Sequence, residues 1–165
     1  MIINWWNNNQ VGSAINALNM QNDLSVSMDV LQATLAKNAR VSTLKIDNVT
    51  SVMPQIISLT NSKYETHLMT GLNSTLNLLR HFAPGLLELK LTPLNPREVD
   101  LAREERIRKA DECINQFQRF SKCKGFYKAL SGERQQKAKE SAELLNNQLM
   151  NLLNQTRAHT ADGGA

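Results

Sequence analysis

Cys113, Cys123, His67, His81 and His159 are the only thiols and imidazoles in this chain. A nucleophilic cysteine needs an imidazole beside it, and a zinc site needs Cys or His ligands in closely spaced sets. No closely spaced metal set is present: the cysteines stand ten positions apart and the histidines are scattered among helical segments. Spacing leaves a Cys–His pair open, although neither cysteine sits in a recognisable catalytic context. On one continuous helix the two sulfurs would lie ~15 Å apart along the axis, beyond disulfide reach. They read as reduced thiols of an intracellular, cytoplasmic chain. No G-x-x-x-x-G-K-[ST] run cradles a phosphate, and no G-x-G-x-x-G follows a strand. The sequence predicts a non-enzyme without catalytic residues, metal or cofactor.

What it offers instead is charge. The formal net charge is +4, and it is unevenly placed. Arg119, Lys122, Lys124, Lys128, Arg134, Lys137 and Lys139 face a single acid, Glu133, between positions 119 and 139. Such a run is either a solvated face or the footprint of an acidic partner. Phe126 and Tyr127 are interleaved with Lys124 and Lys128, a mixture that also suits base stacking beside phosphate contacts. Nucleic acid is therefore the rival partner class.

Two further arginines raise a different question. In "NPREVDLAREERIRKADECINQF", residues 95–117, Asn95 is a good N-cap, Pro96 fits the first helical position and Glu98 suits a capping box. Wound at 100° per residue, Ile107, Ala110, Ile114 and Phe117 share one face, and Glu104, Glu105, Asp111 and Glu112 lie opposite. Glu104 with Arg108 and Glu105 with Lys109 stand in the favourable i,i+4 order. Arg103 has Asp100 one turn back. Arg106 has no acid at ±3 or ±4, yet both arginines fall near the apolar stripe. Either they snorkel past the core edge or this turn lines an interface, where arginine is a favoured contact residue. Tyr64, in the first turn of another helix, is equally a core-rim residue or an interface anchor.

The elements that position these residues read as helices. Seven glycines and four prolines in 165 residues, with abundant Leu, Ala, Asn, Gln and Lys, favour helix over sheet. No apolar run approaches the ~20 residues that span a bilayer, which argues against a membrane partner. Trp5 and Trp6 end a first helix, and Val11, Ile15 and Leu18 share a face of a second. Asn22 or Asp23 caps a third, which carries Leu24, Met28, Leu31 and Leu35 and ends near Asn38. "VTSVMPQIISLT" makes a further helix with Pro54 in its first turn or at a kink. "SKYE" reads as a capping box, Ser62 with Glu65, opening a helix with Leu68, Leu72, Leu76, Leu79 and Phe82 on one side. "APG" at 83–85 should kink or end it. Ala138, Leu145, Leu149 and Leu152 mark a last amphipathic helix. The expected fold is all-α: a single helical bundle of five to six helices over residues 1–155, with a kinked central helix and a disordered tail over 156–165.

The segments "WWNNNQVGSAINALNMQNDLSVSMDVL", "VTSVMPQIISLTNSKYETHLMTGLNSTLNLL" and "DLAREERIRKADECINQF", in that order, resemble the C-terminal conserved domain of the regulatory, WD-repeat subunit of katanin, the microtubule-severing complex. The likeness covers roughly Trp5 to Leu153. It implies a regulatory scaffold that binds the N-terminal three-helix domain of the catalytic AAA ATPase subunit, binds microtubules, and docks spindle-pole or minus-end proteins through short peptide motifs. On that resemblance Tyr64, Arg103 and Arg106 are assigned to docking partners, and Trp5 and Trp6 to the catalytic subunit. The basic run would then meet the acidic surface of tubulin. The location implied is the cytoskeleton of the cytoplasm, at spindle poles, centrosome or basal body. A basic nucleic-acid-binding domain or a generic helical adaptor is the alternative.

Overall fold

The computed structural model describes residues 1–37, 40–93, 95–97 and 99–162, and every regular element among them is helical. Eight α-helices follow in order: α1 (Ile2–Asn7), α2 (Val11–Gln21), α3 (Leu24–Leu31), α4 (Ile46–Thr60), α5 (Glu65–Leu91), α6 (Leu101–Ser121), α7 (Lys124–Leu130) and α8 (Gln136–Asp162). A π-helical turn, Gln32–Ala36, continues α3, and a 3-10 turn covers Val41–Thr43. The all-α expectation holds. The number exceeds five or six: the first helix, ending at Trp5 and Trp6, is a short element of its own, and α7 forms where no helix was expected. Among the described residues no helix is long and apolar enough to cross a membrane.

Local chemistry sets several boundaries. Asp23 caps α3, its Oδ1 accepting from the backbone N–H of Ser25 at 2.9 Å and of Val26 at 3.4 Å. Asn22 closes α2 in the left-handed region, φ 49°, a conformation asparagine tolerates. The π turn leaves carbonyls without the usual partners, and Asn77 of α5 supplies one: its Nδ2 donates to Leu35 O at 2.8 Å and to Ala36 O at 3.0 Å.

Two expected helix starts are corrected. α6 begins at Leu101, where Asp100 accepts from the N–H of Arg103 at 3.0 Å. Asn95 and Pro96 lie ahead of the helix, with Asn95 closing a turn onto the N–H of Arg97, and Glu98 is outside the described residues. Tyr64, not Ser62, holds the N-cap position of α5. Ser62 Oγ accepts from the N–H of Tyr64 at 3.3 Å, and Glu65 turns away from the helix end to meet Arg134. Pro54 lies inside α4 and Pro84 inside α5, so neither ends its helix.

α5 is the spine, packed against α3, the π turn, α4, α6 and α8. Its Leu68, Leu72, Leu76 and Leu79 are buried, as is Leu86 beyond Pro84. From α8, Ala138, Ala142, Leu145, Leu149 and Leu152 close over it, each buried leucine contributing about 1.5–3 kcal/mol relative to exposure. α8 runs on to Asp162 and buries Thr156, past the boundary expected at residue 155; Asn38 and residues 163–165 are outside the described residues.

The end of α4 is a three-helix junction. A Cβ on Gly71 of α5 would lie 2.2 Å from Thr60 Oγ1, and one on Gly125 of α7 would lie 1.9 Å from Thr60 O. Only glycine lets both helices approach this closely.

Candidate interaction surface

The turn between α4 and α5 is held by Arg134, which arrives from the α7–α8 turn. Its Nε donates to Glu65 Oε1 at 2.7 Å, Nη1 to Ser62 O at 3.1 Å and Nη2 to Lys63 O at 3.0 Å. The Arg134 side chain is only 14% exposed, so this cation is spent inside the molecule. Within the clasp Tyr64 points outward, 56% exposed. Its ring meets the edge of His67 at 5.2 Å, and His67 Nδ1 lies 3.0 Å from Ser62 Oγ. Lys63 places its ammonium 5.2 Å from the centre of the Tyr64 ring.

On the far side of this turn, α7 is seated through Gly125, whose N–H donates to Asn61 Oδ1 at 2.8 Å. Asn61, Ser62 and Lys63 from the turn, Lys124, Gly125 and Lys128 from α7, and Glu133 and Arg134 then enclose a cleft of about 350 Å3. Lys63 belongs to both features: its residue lines the cleft and its ammonium covers Tyr64. Sequence reading missed Lys63. The signal was the Lys–Tyr pair inside "SKYE", read only as a cap.

The expected basic run divides. Arg134 is internal, and Lys139 has a loose partner in Glu143 at 3.9 Å. Arg119, Lys122, Lys124, Lys128 and Lys137 make no side-chain hydrogen bond or ion pair among the described residues; Lys128 is half-buried and the other four are exposed. Phe126 is buried against Phe120, ring centres 5.1 Å apart, so it closes the core, whereas Tyr127 is 67% exposed.

Arg103 and Arg106 stand at the other end of α6. Arg103 is half-buried, and its Nη2 donates to the carbonyls of Thr92 at 2.9 Å and Pro93 at 3.1 Å, tying α6 to the end of α5. Asp100 caps the backbone rather than pairing with that guanidinium. Arg106 is exposed and makes no side-chain hydrogen bond or ion pair among the described residues. Next to it the i,i+4 pairs are rearranged. Arg108 pairs with Glu105 and Glu112, while Lys109 reaches Asp47 of α4 at 2.8 Å. The hydrogen bond from Arg108 holds the Glu105 carboxyl below its ordinary range, and the one to Asp47 holds the Lys109 ammonium above its own. Lys109 thus marks the first turn of α4, and Tyr64 follows its last. Fifteen helical residues, about 22 Å, separate the two ends, so a single partner touching Tyr64 and Arg106 must span that distance.

Trp6 is fully buried and belongs to the core, which removes it from any partner-facing surface; Trp5 is half-buried at the edge. Cys113 and Cys123 are buried and free, and burial pushes the Cys113 thiol up to about 12. Among the described residues no group of histidine, cysteine and acidic side chains could hold a metal.

Residues 1–148 match the family model described as the con80 domain of katanin. This chain belongs to the katanin con80 family. It is 34% identical over 127 residues to katanin p80 WD40 repeat-containing subunit B1 of Gallus gallus, covering 77% of this chain and 19% of that protein. The Danio rerio protein of the same name is 34% identical over 116 residues, 70% of this chain and 16% of the relative. The Arabidopsis thaliana homolog KTN80.3 is 27% identical over 119 residues, 72% of this chain and 14% of the relative. The chain spans less than a fifth of the length of each of these relatives. The con80 match takes in both the Tyr64 turn with α7 and the Arg103–Arg106 end of α6, and it supports a regulatory, katanin-associated role.

Proposed function

We infer that this con80 domain is a non-catalytic scaffold of a katanin severing complex. It binds the N-terminal three-helix domain of the AAA ATPase subunit, adds cationic surface for the microtubule, and docks spindle-pole or minus-end partners through short peptide motifs. ATP hydrolysis belongs to the partner. The observation that carries the reading is the end of the domain where α6 meets α7. There Arg119, Lys122, Lys124 and Lys128, with Lys63 across the cleft, project from a con80 fold with no ion pair among the described residues, and Glu133 is the single acid lining the cleft beside them. Tubulin presents an acidic outer surface, and such contacts are individually modest, salt-sensitive and strongest when several act together. Trp5, half-exposed on α1, is the contact assigned to the ATPase subunit, and Tyr64 and Arg106 are those assigned to docking partners. The corresponding location is the microtubule cytoskeleton, including spindle poles and centrosomes.

Microtubule co-sedimentation of a Lys122→Glu, Lys124→Glu, Lys128→Glu triple variant tests the cationic surface. The bound fraction should fall steeply relative to wild type at equal salt, and unchanged sedimentation would overturn the assignment. The exposure of Tyr127 between Lys124 and Lys128 is the observation that favours nucleic acid instead. Preference for microtubules over DNA at equal salt separates the two.

A further inference from the structure

We propose that the cleft between the α4–α5 turn and α7 is the seat of a short acidic peptide segment in extended conformation, with Lys63, Lys124 and Lys128 as its carboxylate ligands. This rests on the scaffold reading above and deepens it by naming the subsite and the chemistry of its occupant.

The frame of the cleft is fixed on both sides. On one, α7 sits against the end of α4 with no room for a Cβ on Gly125, and the Gly125 N–H is bonded to Asn61. On the other, three hydrogen bonds from Arg134 hold Ser62, Lys63 and Glu65 in place. The lysines therefore start from anchored backbones, which lowers the ordering cost of gripping a ligand. Lys124 and Lys128, one helical turn apart, carry like charges within a Debye length of each other and repel until an anion enters. Glu65 already neutralises Arg134, and Glu133 is the one other acid on the rim, so the cleft keeps an excess of positive charge.

Spacing selects the shape of the occupant. Lys124 and Lys128 are one helical turn apart, about 5–6 Å between their Cβ atoms. In an extended peptide, side chains on one face recur every about 6.6–6.8 Å, so alternate acidic residues match the two lysines. Lys63 faces them from the other wall. The same residue argues against a stacked base here. Its ammonium already lies over the Tyr64 ring, and His67 occupies that ring's neighbourhood, so the Tyr64 face is taken and only the exposed Tyr127 is left to stack. A carboxylate beside Lys63 leaves the cation–π contact intact.

The test is fluorescence anisotropy with a labelled octaglutamate peptide, titrated with the full chain and with Lys63→Ala, Lys124→Ala, Lys128→Ala and, outside the basic run, Arg80→Ala and Arg157→Ala variants. Thermal melts confirm that each variant is folded. Each cleft substitution should weaken binding about twofold to fivefold, the triple cleft variant should abolish it, and the two outlying controls should change it less than about twofold. Equal losses at all five positions would mean a diffuse field and overturn the cleft. Absence of octaglutamate binding would overturn the cleft alone if microtubules still co-sediment, and the scaffold's cationic surface as well if they do not. Tighter binding of a labelled oligothymidine at equal salt would overturn the peptide in favour of nucleic acid.

Discussion

A methyl group on Gly125 would lie 1.9 Å from the carbonyl oxygen of Thr60. That oxygen is backbone at the last residue of α4, so it cannot rotate away. Gly125→Ala should therefore push α7 off α4 and destabilise the fold by more than about 3 kcal/mol, above the usual range for point substitutions. Gly71→Ala meets a softer obstacle, the Thr60 hydroxyl at 2.2 Å, with backbone atoms of Thr60 and Ile56 at 3.1 and 3.2 Å. Thr60→Ala should recover part of the Gly71→Ala loss and none of the Gly125→Ala loss. Urea melts of the single and double variants check this as a non-additive cycle.

Arg134→Ala removes the clasp and leaves the partly buried Glu65 carboxylate without its cation. A loss of about 1–3 kcal/mol is expected for a charged group stripped of its hydrogen-bond partner. At this chain length each kcal/mol lowers the thermal midpoint by about 2–4 °C. Arg134→Lys keeps the charge but cannot reach Ser62, Lys63 and Glu65 together, so its midpoint should fall between those of wild type and Arg134→Ala.

Tyr64→Ala and Arg106→Ala should leave the helical circular dichroism and the thermal midpoint nearly unchanged, within about 0.5 kcal/mol, because both side chains are exposed. Arg103→Ala should lower the midpoint, since two carbonyls at the end of α5 lose their donor. Any effect of the first two on docking-partner binding then reads out contact rather than unfolding, and loss of helix in either would make that residue structural.

Cys113 is pushed up to about 12 from the ordinary 9.0 by burial, and Cys123 is raised for the same reason. A group that stays protonated longer in the folded state ionises first in the unfolded chain. Stability should thus be insensitive to these thiols at neutral pH and fall as pH rises from 9.0 toward 12. Both thiols should react slowly with a colorimetric disulfide reagent at pH 8 and rapidly once the chain is unfolded in denaturant.

Hydrophobic spacing made the helices legible: Val11, Ile15 and Leu18, Leu68 through Leu79, and Leu145 through Leu152 all lie in the core where period 3.6 places them. Helix starts were less legible, because local caps compete with distant partners. Glu65 satisfies the capping-box pattern, yet Arg134, 69 residues away, offers a guanidinium and wins it. Lys109 was paired on paper with Glu105 and goes to Asp47 on another helix. The basic run was visible as composition, but which cations are spent inside the molecule and which line the cleft depends on how the α4–α5 turn, α7 and the start of α8 meet. No local rule of spacing carries that information. Trp6 illustrates the reverse error, an aromatic read as a contact and used as core.

The central claim is that this con80 domain pairs with a katanin ATPase subunit, and calorimetric titration of the chain with the N-terminal domain of that subunit from the same organism tests it most directly. Tight one-to-one binding is the predicted result. Absence of heat and of complex, with both domains folded by circular dichroism, would contradict the account.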